Sequence, residues 1–108
     1  MLRVFRTVQF DEDYDDLDHS DQIKTDKLLL KLLEQGDKVG RPLQYDFFRE
    51  KRLNGKRMYY LIYPDLSSLL MLFITNKKIQ QETIDQILSD LAYYKSFVLE
   101  QLKKNVIS

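Results

Sequence analysis

Arg49-Glu50-Lys51-Arg52-Leu53-Asn54-Gly55-Lys56-Arg57-Met58-Tyr59-Tyr60-Leu61-Ile62-Tyr63 reads as two strands folded back on each other. Asn54-Gly55 is the reason. Both residues tolerate the positive φ of a type I′ turn, and that turn matches the twist of the strands it joins. The predicted strands run from Phe47 to Leu53 and from Arg57 to Tyr63. Alternation along a strand puts Arg49 and Lys51 on one face, with Glu50 and Arg52 on the other. On the partner strand Arg57, Tyr59 and Leu61 share a face, and Met58, Tyr60 and Ile62 share the opposite one.

Downstream, Pro64-Asp65 opens a second turn. Leu69 to Thr75 is then a nearly all-apolar strand, as expected at the centre of a sheet. After Thr75-Asn76 the period becomes helical. Ile84, Ile87, Leu88, Leu91, Val98 and Leu102 fall on one stripe, which predicts a single long helix ending near Lys104. Upstream, Leu2 to Phe10 alternates partly and reads as a short strand. Tyr14 and Leu17 suggest a short helix or turn whose acids face water. Ser20 or Asp21 caps a second helix to about Gln35, with Ile23, Leu28, Leu30, Leu32 and Leu33 around Lys27 and Lys31 on its apolar face, and Gly36 as the stop. A loop with Gly40 and Pro42 leads to the hairpin. The order is strand, helix, helix, three antiparallel strands, helix: an α+β fold in one domain, residues 1–108.

Composition narrows the function. Of the 108 residues, 44% are apolar, which suits a globular domain. Cysteine is absent, so there is no disulfide framework and no thiolate metal site. The one histidine, His19, is too few for the usual zinc or serine–histidine chemistry and reads as an exposed residue near a helix start. No metal or cofactor is expected. Met1 to Arg6 lacks the apolar core of a signal peptide, and the run 69–74 is about a third of a membrane span. A cytoplasmic location is expected, with no membrane partner.

The net charge is zero, but the charges are segregated. Asp11, Glu12, Asp13, Asp15, Asp16, Asp18 and Asp21 occur without an intervening base. Between residues 38 and 57 lie Lys38, Arg41, Arg49, Lys51, Arg52, Lys56 and Arg57, against only Asp46 and Glu50. Such separation creates local fields that a whole-chain charge conceals. A sheet face carrying Arg49, Lys51 and Arg57, extended by Lys77 and Lys78, would grip a polyanion, although solvated surface charges have the same pattern.

Gly40-Arg41-Pro42-Leu43, the basic hairpin, and Phe73-Ile74-Thr75-Asn76-Lys77-Lys78, in that order, resemble the RelE/ParE toxin superfamily over roughly residues 2 to 80. The resemblance implies a RelE-like fold: an N-terminal strand and helical hairpin, an antiparallel sheet of three further strands, and a long C-terminal helix. It implies the toxin of a toxin–antitoxin module, a metal-independent endoribonuclease that cleaves mRNA in a ribosome-dependent manner. Its partners would be a cognate antitoxin, the ribosome and mRNA. By position in the family's pattern, Lys51 is the candidate base, Arg57 stabilises the phosphate and Lys78 stands near the leaving group. Arg49, Arg52, Lys56, Lys77 and Tyr60 would contact nucleic acid.

The chain departs from that pattern in three ways. No tyrosine occurs in Ile79-Gln80-Gln81-Glu82-Thr83-Ile84, the overall charge is neutral, and the C-terminal helix is long. These favour the alternative, a non-catalytic ParE-like toxin directed at gyrase or a domesticated RelE-fold binding protein. Tyr93, Tyr94 and Phe97 on the C-terminal helix would suit a homodimer contact.

Overall fold

The apolar run forms the middle of a strand, Ser68–Asn76, that lies at the heart of a five-stranded sheet. The computed structural model describes residues 2–36 and 39–106; Lys38, counted among the basic residues above, lies outside them. In chain order the elements are β1 (Arg3–Arg6), α1 (Val8–Asp15), α2 (His19–Gln35), β2 (Arg41–Pro42), β3 (Phe48–Leu53), β4 (Lys56–Tyr63), β5 (Ser68–Asn76), α3 (Gln80–Ser89) and α4 (Leu91–Val106). The sheet order is β1-β5-β4-β3-β2. β1 pairs with β5 in parallel, and the other pairings are antiparallel.

Helices cover both faces of the sheet. One face packs Met58, Tyr60, Ile62, Leu69 and Met71 with Phe10 of α1 and Leu28 and Leu32 of α2. The other packs Phe48, Tyr59, Leu61, Leu70 and Leu72 with Ile87 of α3 and Tyr94 and Val98 of α4. A strand sandwiched in this way must be apolar on both sides, which is why β5 lacks alternation. A register shift between β4 and β5 adds to this: Tyr59 pairs with Phe73 but Tyr60 pairs with Met71, so Leu72 bulges. Leu72 and Phe73 consequently pack toward the same helices.

The hairpin has the expected turn. Asn54 and Gly55 have φ of 47° and 77°, the double positive that type I′ requires. β4 begins one residue earlier than expected, at Lys56.

Several boundaries differ from the sequence reading. β1 stops at Arg6, because the Thr7 hydroxyl accepts from Phe10 N–H at 3.0 Å and starts α1. The same hydroxyl donates to Leu72 O at 2.8 Å, tying the helix start to the bulge. Phe10 is thus a fully buried helical residue. α2 is capped by Asp18, whose side chain accepts from Asp21 N–H at 2.8 Å, rather than by Ser20 or Asp21. Its buried stripe is Asp21, Thr25, Leu28 and Leu32, while Ile23, Leu30 and Leu33 are exposed.

The C-terminal segment is two helices. Asp90 N–H still bonds to Ile87 O, and Asp90 O receives Tyr94 N–H, both at 3.1 Å, so one residue closes α3 and opens α4. Ser89 and Asp90 favour helix ends, because their side chains compete for local backbone groups. The Ser89 hydroxyl does so, donating to Gln86 O at 2.8 Å. No helix among the described residues is long and apolar enough to cross a membrane.

Candidate nucleic-acid interface and buried polar cluster

The hairpin brings the chain's basic residues to one end of the sheet. Register places Lys51 opposite Met58, Arg52 opposite Arg57, and Leu53 opposite Lys56. Lys56 in turn pairs with Asn76, at the end of β5, so Lys77 and Lys78 follow beside the turn. The Asn76 side chain accepts from Lys78 N–H at 3.0 Å and fixes that exit. Lys51, Arg52, Lys77 and Lys78 are exposed, and Lys56 is half-buried.

The expected single cationic face does not form. Arg57 pairs with Arg52, and so lies on the face of Glu50 and Tyr59; Arg49 and Lys51 point to the α2 side with Tyr60 and Met58. Alternation within each strand holds, but the two strands are related by the register that the two-residue Asn54-Gly55 turn sets, pairing Leu53 with Lys56 and Arg52 with Arg57.

Two of the anticipated contact residues have structural duties. Arg49 is 7% exposed, and its Nε and Nη2 donate to Asp46 O and Asp46 Oδ1 at 2.6 and 3.0 Å. Its Nη1 reaches Gly40 O at 3.4 Å, so the guanidinium holds the loop before β3. Tyr60, expected as a ring for stacking, is fully buried and donates its hydroxyl to Val39 O at 2.5 Å. Burial pushes its phenol up to about 12. Gly40, with φ of 82°, lets that hydroxyl approach, since a Cβ there would collide with it. No base could reach the Tyr60 ring.

The α3 side of the hairpin holds the polar group that sequence reasoning passed over. Glu50 is 4% exposed and sits among nitrogen donors. Gln80 Nε2 donates to its Oε2 at 2.5 Å, Arg41 Nη2 lies 3.7 Å from Oε1, and Arg57 Nε lies 3.8 Å from Oε1. The last distance permits Coulombic attraction but is too long for a hydrogen bond. Arg57 Nη1 donates to Lys56 O at 3.1 Å, leaving the buried Nε with no hydrogen-bond partner. Tyr59 hydroxyl and Thr75 Oγ1, neighbours on this face, are also buried without well-formed partners. Desolvation raises the Tyr59 phenol above its usual 10, partly offset by Thr75. Buried polar atoms are nearly always satisfied in stable folds, so Arg57 Nε, which has no such neighbour offsetting it, stands out beside the ion pair.

The other residues singled out from the sequence divide clearly. His19 is the exposed first residue of α2. Most of the acidic run is exposed, but Asp13 Oδ2 accepts from Ile74 N–H at 2.9 Å and the buried Asp21 accepts from Asn54 Nδ2 at 2.8 Å. On α4, Tyr94 is buried and meets Tyr93 edge-on at 5.6 Å between ring centroids, while Tyr93 stays 67% exposed. Among the described residues no cluster of metal-ligating side chains occurs.

A five-stranded sheet with a parallel N-terminal edge, an α-helical hairpin on one face and C-terminal helices on the other defines a RelE-like α+β fold. Among solved structures, the isolated RelE toxin of E. coli matches with a TM-score of 0.62 at 12% identity, covering 81% of this chain and 99% of that one. RelE in the intact E. coli RelBE toxin–antitoxin complex matches with a TM-score of 0.62 at 11% identity, over 70% of this chain and 96% of that one. An arginine-to-alanine double mutant of E. coli RelE bound to a peptide of the antitoxin RelB gives 0.63 at 11% identity, over 76% and 93%. No protein-family model matches the sequence, and no curated protein gives a significant match.

Proposed function

We propose that this chain is the toxin of a toxin–antitoxin pair and that it cleaves mRNA in a ribosome-dependent manner at the hairpin end of its sheet. The observation that carries this reading is the buried Arg57 guanidinium with an unused Nε, facing Glu50 on a RelE-like scaffold. A guanidinium with a spare donor in a low-dielectric setting suits a phosphate oxygen. The exposed Lys51, Arg52, Lys77 and Lys78 around it suit the flanking phosphates.

Cleavage by the ribose 2′-hydroxyl requires removal of its proton, attack of the 2′-oxygen on phosphorus, and departure of the 5′-oxygen. Lys51 is the base that the family pattern suggests, yet Lys51 and Arg57 lie on opposite faces. Glu50 shares the face of Arg57 and accepts protons, so the base role passes to Glu50 in this reading. Arg57 then neutralises the charge growing on the phosphate, and Lys78 attends the leaving oxygen. Entry of RNA requires Gln80, at the first turn of α3, to release Glu50. A protein antitoxin as inhibitor follows by likeness to RelE, whose complexes with RelB are among the matching structures.

A second reading rests on burial. Arg57 and Glu50 are 6% and 4% exposed, and a pair shut in this way suits a protein that binds its target without cutting it. Primer extension on mRNA translated in the presence of the purified protein separates the two. Ribosome-dependent cuts that disappear in folded Arg57→Lys and Glu50→Gln variants are the expected result. A folded wild type that makes no cuts rejects the nuclease and leaves binding.

A further inference from the structure

A groove of about 370 Å³ runs between α2 and the end of β3, on the opposite side of the hairpin from Arg57. Its walls carry Lys24, Lys27 and Lys31 from the helix and Lys51 and Arg52 from the strand, with Leu28 and Leu53 also lining it. Among the described residues, no acidic side chain lines it. The helical lysines recur at intervals of three and four, which puts them along one face of α2. None of these cations is within ion-pair distance of a carboxylate among the described residues. Exposed lysines normally find acidic neighbours or spread apart, because like charges close together on one helix face repel.

The groove does not end at the hairpin. Lys51 and Arg52 also line a second depression, with Gly40, Arg41, Pro42 and Glu50. The β2–β3 ladder stops at Glu50, so Lys51 and Arg52 stand on a part of β3 that β2 leaves open. Two depressions sharing two cations make one track, from the α2 lysines over the edge of the sheet to the carboxylate beside Arg57.

We propose that this track binds the backbone of a single-stranded RNA and leads it to the Glu50–Arg57 pair. The inference rests on the RNA-directed reading above and adds the path of the strand. Lys24 to Lys31 spans roughly 10 Å of helix axis, room for more than one phosphate. Unpaired lysines on flexible stems serve phosphates of varying position, as sequence-tolerant binding needs. An acidic peptide is the competing occupant, but it gives no reason for the track to lead to a buried guanidinium.

The test is fluorescence anisotropy of the full chain with a labelled uridine-rich RNA about a dozen nucleotides long, over a range of salt. The triple variant Lys24→Gln/Lys27→Gln/Lys31→Gln should bind about tenfold more weakly or worse, and its slope of log affinity against log salt should fall by about 2, the release expected for three lost phosphate contacts on a single strand. A triple variant that melts like wild type and keeps affinity and slope overturns the track while leaving the Glu50–Arg57 reading intact. Tighter binding of an oligoglutamate peptide than of RNA by the wild type overturns it in favour of a protein partner. A wild type that binds no free RNA overturns the track, whereas the ribosome-dependent reading stands or falls on primer extension with translated mRNA.

Discussion

The two faces of this sheet are built from the same strands and yet carry different burdens. On the α1–α2 face, Met58, Tyr60, Ile62, Leu69 and Met71 meet Phe10, Leu28 and Leu32, and the polar atom at its centre, the Tyr60 hydroxyl, has a backbone acceptor. On the α3–α4 face, Phe48, Leu61, Leu70 and Leu72 make an equally apolar floor, but its hairpin end holds Glu50, Arg57, Tyr59 and Thr75 with three buried atoms unsatisfied. The first face is what stability alone would produce. The second leaves polar atoms buried over a few residues, which is where the proposed site lies.

That contrast is most easily broken on the first face. Phe10 is fully buried where α1 meets the sheet. Phe10→Ala should cost about 3–5 kcal/mol of unfolding free energy, through lost burial and an unfilled cavity. A loss below about 1 kcal/mol in urea denaturation would mean that the α1–α2 face is loosely packed and that the comparison has no firm side.

The Glu50–Arg57 pair sharpens the other side. Removing one partner strands a buried charge, so Arg57→Met or Glu50→Leu alone should lose about 3–5 kcal/mol. The double variant should recover most of that loss or exceed the wild type, because well-packed apolar residues often replace a buried ion pair at no cost. RNA cleavage should be absent from the double variant even where it is the more stable protein. A double variant as unstable as either single one would show that the pair is kept for the fold, and the reading of this face as a functional site would fail.

Much of the architecture is legible in local chemistry, and the site is not, for a reason particular residues make plain. Asn54-Gly55 determines the turn by its φ requirements, and β5 shows its central place by being apolar on both sides; both signals are local. The C-terminal stripe from Ile84 to Leu102 is also a local signal, although it runs through Asp90 without revealing the break there. The site depends on contacts from distant helices as well as on the hairpin register, and only the register follows locally, from the Asn54-Gly55 turn. Arg57 and Lys51 fall on opposite faces because that turn pairs Arg52 with Arg57 and Lys51 with Met58, a consequence that alternation taken strand by strand misses. Glu50 reads as a counter-charge on a strand until Gln80, thirty residues later, donates to it. The α2 lysines read as an ordinary helix surface, and only the fold sets them across a groove from Lys51 and Arg52. The order of elements follows from periodicity and turn signals, and the solved RelE structures agree with a RelE-like fold.

The smallest expected effect is the cleanest test of the contrast, because the same substitution can be made at adjacent residues of one strand. Tyr59 and Tyr60 are both fully buried on β4, and alternation sends their rings to opposite faces. Tyr60→Phe removes a hydroxyl that donates to Val39 O, and the carbonyl then lies buried without that donor; the expected loss is about 1–2 kcal/mol. Tyr59→Phe removes a hydroxyl without a well-formed hydrogen bond, and with it the cost of keeping that group from water. Its expected effect is between zero and a gain of about 1 kcal/mol. The shape of the ring is the same in each case, so packing cancels and the difference isolates whether the polar atom was satisfied. Paired urea denaturations give the answer directly. A Tyr59→Phe variant that loses as much as Tyr60→Phe would mean that the Tyr59 hydroxyl is bonded in solution, to Thr75 or to a water. The α3–α4 face would then be as complete as the other, and Arg57 would lose its setting of unsatisfied groups.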